Sequence, residues 1–144
     1  MEPIIVGDYT LLRNLRPDGG IDFVGRLDIG NGFGKAKLIV LGQAKCEKPG
    51  SPTNGNHIAR TVARLRRGWL GVYVTTSYFS PSTQREVIED RYPIVLIPGK
   101  RLAEEVHSML VERGDLELVD LLDEIDSQYG SHNAPSDPEE LLFR

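Results

Sequence analysis

The sequence predicts an α/β fold with a mixed central β-sheet flanked by helices. Segments 21–29 and 37–46 both have strand character, and the glycine-rich turn at 30–34 separates them. This arrangement predicts an antiparallel β-hairpin. After the hairpin, helical segments alternate with short apolar segments, as in parallel strands joined by helices. The combined order of hairpin, helix, strand, helix, strand and helix predicts the mixed sheet.

The first helix is predicted over residues 56–67, directly after a loop rich in Pro, Gly, Ser and Asn. Ile58, Val62 and Leu65 recur there at helical spacing, which indicates one apolar face. The other face carries arginines: Arg60, Arg64 and Arg67. That face fits either a solvated surface or a grip on DNA phosphates.

Two apolar segments, 69–76 and 93–98, are typical of buried strands. Between them a short helix is predicted to begin after Ser80 and to end near residue 90. Ser80 is a favourable N-cap and Pro81 a favourable first-turn residue.

The C-terminal part is predicted to be helical. Apolar residues recur at Leu102, Val106, Met109 and Leu110, and a last helix is expected over 116–126. The polar start of the tail favours either a linker or a lightly docked helix. We therefore predict a catalytic domain at 1–126 and a tail at 127–144.

Length and composition limit the classes of protein to which the chain can belong. The chain has 144 residues, enough for one compact domain, and one cysteine, Cys46, which cannot form an internal disulfide. The sequence contains neither a membrane-length apolar run nor a secretory leader, so we expect a cytoplasmic protein. Cys and His residues do not cluster at zinc-finger spacing, so any metal is expected to have oxygen ligands.

Charge is distributed unevenly along the chain. Residues 1–102 carry a formal charge of +6 and residues 103–144 carry −10, which together give the net −4. The acidic charge therefore belongs to the C-terminal part, and the basic body is compatible with a nucleic-acid partner.

The chemical signal lies on the predicted hairpin. Gln43 and Lys45 share one face of their strand because side chains alternate, and Asp22 on the paired strand can reach that face. A carboxylate, an amide oxygen and an ammonium would then converge. These groups suit Mg²⁺-assisted hydrolysis of a phosphodiester.

These residues resemble the PD-(D/E)xK nucleases, and more closely their Mrr-like restriction branch. The matching segments are GGID at 19–22, QAK at 43–45, the following helix and TTS at 75–77. The resemblance spans roughly residues 18–106. The Gln variant is similar to methylation-dependent restriction enzymes of the MspJI type. The resemblance implies a restriction-endonuclease-like core. Such a core usually opens with a long helix. Because only about twenty residues precede Asp22, we expect this helix to be truncated or replaced.

The resemblance also implies roles for the site residues. Asp22 would be the main metal ligand, Gln43 would contribute its side-chain oxygen, the Ala44 carbonyl would help, and Lys45 would position the attacking water. The expected cofactor is Mg²⁺, with Mn²⁺ as a substitute. Because Gln43 replaces a glutamate, the site loses one negative charge, and a millimolar Mg²⁺ requirement is expected.

Further residues are candidates for contacts with DNA: Lys48, Arg60, Arg64, Arg67, Thr76 and Ser77. For Thr76 and Ser77 the alternative is a cap on the following helix.

The resulting hypothesis is an endonuclease that acts on double-stranded DNA as the cleavage domain of a modification-dependent restriction enzyme. We expect a homodimer or higher oligomer on DNA, since a double-strand cut needs two sites, and a specificity domain elsewhere. The alternatives are a structure-specific repair or junction-resolving nuclease and a catalytically silent DNA-binding or assembly domain.

Overall fold

The computed structural model describes residues 9–13, 21–129, 135 and 137–143. The described chain contains a five-stranded sheet in sequential order. The strands are β1 (Tyr9–Arg13), β2 (Phe23–Ile29), β3 (Ala36–Lys45), β4 (Leu70–Thr75) and β5 (Ile94–Ile97). β1, β2 and β3 pair antiparallel, whereas β3, β4 and β5 pair parallel. The predicted mixed sheet and its hairpin are confirmed.

The helices follow the parallel strands. They are α1 (Gly55–Val62), α2 (Pro81–Glu89), α3 (Gly99–Glu112) and α4 (Leu118–Tyr129), with short 3₁₀ helices at Gly32–Gly34 and Pro138–Phe143. α1 connects β3 to β4 and α2 connects β4 to β5, since parallel neighbours require a crossover. Within the described ranges, none of these helices has the length and apolar character needed to cross a membrane.

The sequence predicts α2 and its N-cap correctly. The Thr83 N–H donates to the Ser80 hydroxyl at 3.2 Å, and Pro81 occupies the first turn. α3 begins at Gly99, and α4 lies two to three residues beyond the predicted 116–126 at both ends. The observed ends differ from the predicted ones because helix ends depend on local caps more than on periodicity.

The prediction for the first helix is wrong beyond Val62. The Leu65 N–H bonds to the Val62 carbonyl at 3.0 Å, a tight turn that ends the helix. Gly68 then has a φ of 82°, a left-handed conformation that glycine adopts without strain. The chain must leave the helix here because β4 has to start beside β3 and Trp69 has to enter the core.

β1 is a strand that the sequence reading did not predict. It pairs with β2 in the register Tyr9 to Leu27 and Arg13 to Phe23. The segment YTLLR lacks clear alternation, so its pairing partner, and not its own pattern, makes it a strand. Residues 9–13 therefore form a strand. Residues 1–8 and 14–20, including Gly19 and Gly20 of the GGID motif, lie outside the described residues.

One face of the sheet carries the core. The register places Val24, Leu41, Tyr73 and Ile94 on the same face, and α1 covers it with Ile58. This apolar face positions the first turns of α1 above the carboxyl end of β3.

The C-terminal 3₁₀ helix packs against the same face. Leu141 is 1% exposed and lies in the cluster with Val24 and Trp69. Its carbonyl accepts a hydrogen bond from Arg26 Nη1 at 2.7 Å, and Arg66 forms an ion pair with Asp137 at 3.2 Å. The division at residue 126 stays a prediction; α4 runs across it, and the segment Pro138–Phe143 contributes to the core.

We expect Leu141→Ala to lower the free energy of unfolding by about 2 to 4 kcal/mol, because it removes a fully buried side chain. Urea denaturation measures the change. Leu122→Ala on α4 is the matched control, since Leu122 is 55% exposed. If both variants unfold at the wild-type urea concentration, the C-terminal segment does not support the core.

Candidate active site

Asp22 lies just before β2 and is tied to the end of β3. The neighbouring Ile21 is buried in the core, whereas Asp22 is exposed. The Asp22 N–H donates to the Gly42 carbonyl at 2.9 Å, and its Oδ2 accepts the Ala44 N–H at 2.7 Å. The carboxylate is therefore fixed beside the strand that carries Gln43 and Lys45.

Gly42 makes this approach of the two strands possible. It pairs with Phe23, whose ring lies over it; a Cβ at Gly42 would come within 1.8 Å of a ring atom. A larger residue would push β2 away from β3. The glycine thus maintains the register that places Asp22 next to Gln43.

Gln43 is held by the helix above it. The Thr61 hydroxyl donates to Gln43 Oε1 at 2.8 Å, and Thr61 is 1% exposed. Because α1 follows β3 directly, Thr61 lies above the strand end. The bond fixes the orientation of the amide oxygen.

Lys45 is the last residue of β3 and shares the face of Gln43. Its Nζ lies 3.8 Å from Glu47 Oε1 and 3.5 Å from His57 Nε2. The Lys45 side chain is 33% exposed. The ammonium is thus accessible to a substrate and has neighbours on both the loop and α1.

The loop after Lys45 is anchored to the end of β4. The Thr76 hydroxyl accepts the Glu47 N–H and donates to the Glu47 carbonyl, each at 2.7 Å. The buried Ser77 hydroxyl donates to the Ser51 carbonyl at 2.5 Å. These bonds fix the Glu47 backbone relative to β3.

Tyr73 on β4 pairs with Gln43 and is fully buried. Its hydroxyl has no hydrogen-bond partner among the described residues. Burial raises the pKa of Tyr73 above its ordinary value of 10.0, and the charges of Glu47 and Asp22 raise it further. The hydroxyl therefore stays protonated at neutral pH and can act as a donor.

The structure brings Asp22, Gln43, Ala44 and Lys45 together, as the sequence predicts. Sequence reasoning did not assign roles here to Glu47, Thr61 or Tyr73. Glu47 could have been found by extending the alternation of Gln43 and Lys45 beyond the strand. Tyr73 gives no such signal, because only the pairing of β3 with β4 places it.

The candidate DNA contacts lie in different environments. Lys48, Arg60 and Arg67 are exposed, Arg60 on α1 and Arg67 in the connection to β4. Arg64 also lies in that connection, and not on the helix face expected from the sequence. The Thr76 and Ser77 hydroxyls bond to backbone groups of the loop, and the helix cap is Ser80.

The residues present fit a hard divalent cation. Asp22 offers an exposed carboxylate and Gln43 an amide oxygen. The Ala44 N–H points to Asp22, and the carbonyl of a strand residue lies on the same edge as its N–H. Among the described residues, no group of three or more His, Cys, Asp or Glu side chains could hold a metal ion. The donor set therefore suits Mg²⁺, which binds through one or two carboxylates and keeps several waters.

Comparisons with known proteins show which family and which solved structures the chain resembles. A family model described as restriction endonuclease, Mrr_cat, matches residues 8–106. The solved structure of the MspJI restriction endonuclease in complex with a 27-mer oligonucleotide is 43% identical with a TM-score of 0.84, and the match covers 96% of this chain. The DNA modification-dependent restriction endonuclease AspBHI is 29% identical with a TM-score of 0.69, over 85% of this chain.

The chain spans 31% of the length of each of these two solved relatives. None of the curated proteins compared with the chain matches it significantly. The restriction-endonuclease fold expected from the sequence is confirmed by the two structural matches.

Proposed function

Since the chain belongs to the restriction endonuclease family described by Mrr_cat, we propose that it is the cleavage domain of a modification-dependent restriction enzyme. In this function it hydrolyses phosphodiester bonds of double-stranded DNA with Mg²⁺. The observation that carries the proposal is the hydrogen bond from Ala44 to Asp22 at 2.7 Å, which holds the carboxylate beside Gln43 and Lys45.

Asp22, the Gln43 side-chain oxygen and the Ala44 carbonyl would hold the metal. Bound there, Mg²⁺ would polarise a phosphoryl oxygen and make a water molecule more acidic. The Asp22 carboxylate carries the negative charge of this ligand set, and Thr61 keeps the Gln43 oxygen oriented. Mn²⁺ is expected to substitute for Mg²⁺.

Lys45 positions the attacking water. Its ammonium lies on the same strand face as Gln43 and can donate hydrogen bonds to the water and to the phosphate. The water oxygen forms a bond to phosphorus as the water gives up a proton to solvent, the bond from phosphorus to the 3′ oxygen breaks, and the 3′ oxygen takes up a proton from solvent. The products carry a 5′-phosphate and a 3′-hydroxyl.

Exposed basic residues are proposed to bind the DNA backbone: Lys48, Arg60, Arg64 and Arg67. Their contribution would be independent of sequence and sensitive to salt. For Thr76 and Ser77 we propose instead an indirect role, since their hydroxyls order the loop that carries Glu47 and Lys48.

Target choice is proposed to reside outside this chain, in keeping with its 31% share of the solved relatives. A double-strand cut requires two active sites, so we propose a homodimer or higher oligomer on DNA. MspJI was solved with an oligonucleotide, which supports a DNA substrate here as well. Restriction enzymes typically act in the cytoplasm, and we propose the same location.

The proposal is tested by incubating methylated and unmethylated plasmid with the chain in Mg²⁺, Mn²⁺ or EDTA. Nicks or double-strand breaks that require metal are the expected result. Preferential cutting of branched substrates over linear modified DNA would indicate a junction-resolving nuclease instead.

A catalytically silent DNA-binding domain is the second candidate. It is favoured by the neutral Gln43 and by the lack of a three-residue acidic or histidine cluster in the described chain. Binding to plasmid without cutting in any metal would establish it.

We expect Gln43→Glu to lower the Mg²⁺ concentration for half-maximal cleavage roughly tenfold, because ligand charge tunes affinity for hard cations. The glutamate can still accept the Thr61 hydroxyl bond, so the fold is preserved. Cleavage measured over a Mg²⁺ series from about 0.01 mM to about 20 mM gives the midpoint. An unchanged midpoint would show that residue 43 does not contact the metal.

A further inference from the structure

The Lys45 ammonium has an acidic neighbour for which the proposed reaction gives no role. We propose that Glu47 is a positioning residue: Thr76 anchors its backbone, and its carboxylate holds the Lys45 ammonium on the Gln43 face of the site. This inference rests on the proposed nuclease function and names a group that acts through Lys45.

Both backbone polar groups of Glu47 are hydrogen-bonded, although the residue lies in a loop. Thr76 both donates to its carbonyl and accepts its N–H at 2.7 Å. Thr76 itself follows β4, and its N–H donates to the Lys45 carbonyl at 3.1 Å. The backbones of Lys45 and Glu47 are thus both hydrogen-bonded to Thr76, the first residue after β4.

The Glu47 carboxylate lies where it can act on Lys45. The side chain is 24% exposed and its Oε1 is 3.8 Å from Lys45 Nζ. Gln43 is neutral, so it cannot hold the ammonium by charge. Lysine has a long flexible stem that adopts many rotamers, and an opposite charge carried on an anchored backbone restricts them.

The test is a double-mutant cycle on single-turnover cleavage of plasmid DNA. We expect Glu47→Gln to reduce the rate about 10- to 100-fold, the usual scale for an orienting partner. In the Lys45→Ala background the same change should have no effect, because the group it positions is gone. Glu89→Gln at the end of α2 is the matched control and should cut at the wild-type rate.

The second readout separates positioning from metal binding. The Mn²⁺-induced rise in melting temperature should be the same in Glu47→Gln and in the wild type, since Glu47 does not hold the metal. A lost rise would overturn the proposal in favour of a metal ligand. Equal losses in the wild-type and Lys45→Ala backgrounds would overturn it in favour of a general structural role.

The outcomes also separate this inference from the proposed function. If the wild-type chain does not cut DNA in the presence of any metal, the proposed function is overturned and this inference with it. A wild type that cuts, together with a Glu47→Gln variant that cuts equally well, would overturn this inference alone.

Discussion

We expect the Asp22→Ala variant to cut no plasmid DNA at any Mg²⁺ concentration, a loss of at least about 10³-fold. Asp22 provides the carboxylate of the proposed metal site, and its Oδ2 accepts the Ala44 N–H. The substitution therefore removes both a ligand and a bond between β3 and the segment before β2. Gel assays of supercoiled plasmid measure the loss.

Asp22→Asn separates the two contributions. The amide oxygen can still accept the Ala44 N–H, so the variant should fold like the wild type but should not show a metal-induced rise in melting temperature. Asp123→Asn on the exposed side of α4 removes a carboxylate elsewhere and should cut normally. Full activity in Asp22→Asn would rule out a metal-binding role for this carboxylate.

The second large effect is expected for Lys45→Ala, with a loss on the order of 10² to 10⁴ in rate, the scale of a positioned proton-transfer group. The Lys45 side chain is 33% exposed at the end of β3, so truncating it should leave the fold intact. Binding of metal should persist because Asp22 and Gln43 remain. Single-turnover cleavage with saturating Mg²⁺ measures the rate.

Lys100→Ala on α3 is the matched control for loss of an exposed lysine. In both lysine variants the metal-induced rise in melting temperature should equal that of the wild type. If Lys45→Ala cuts as fast as Lys100→Ala, Lys45 does not take part in the reaction.

The hairpin and its site could be predicted because their signals are local. Alternating side chains place Gln43 and Lys45 on one face, and the glycine-rich turn brings the preceding strand alongside. The predicted reach of Asp22 to this face agrees with its bonds to Gly42 and Ala44. Local periodicity and turn residues were sufficient for this part.

Two elements could not be predicted from local pattern. β1 exists because β2 offers it an edge, which is a long-range contact. α1 ends at Val62 although apolar spacing continues to Leu65, because the chain must turn at Gly68 to start β4 beside β3. In both cases tertiary pairing overrides the intrinsic preference of the segment.

The sequence by itself determined the fold class, the family and the chemical groups of the candidate site, since these depend on residue types and short spacings. Only the tertiary structure decided what surrounds those groups. Thr61 on α1 orients Gln43, and Thr76 after β4 fixes Glu47 beside Lys45. Tyr73 reaches the site because parallel pairing of β3 with β4 aligns it with Gln43, an alignment that two distant segments reach only when the sheet forms.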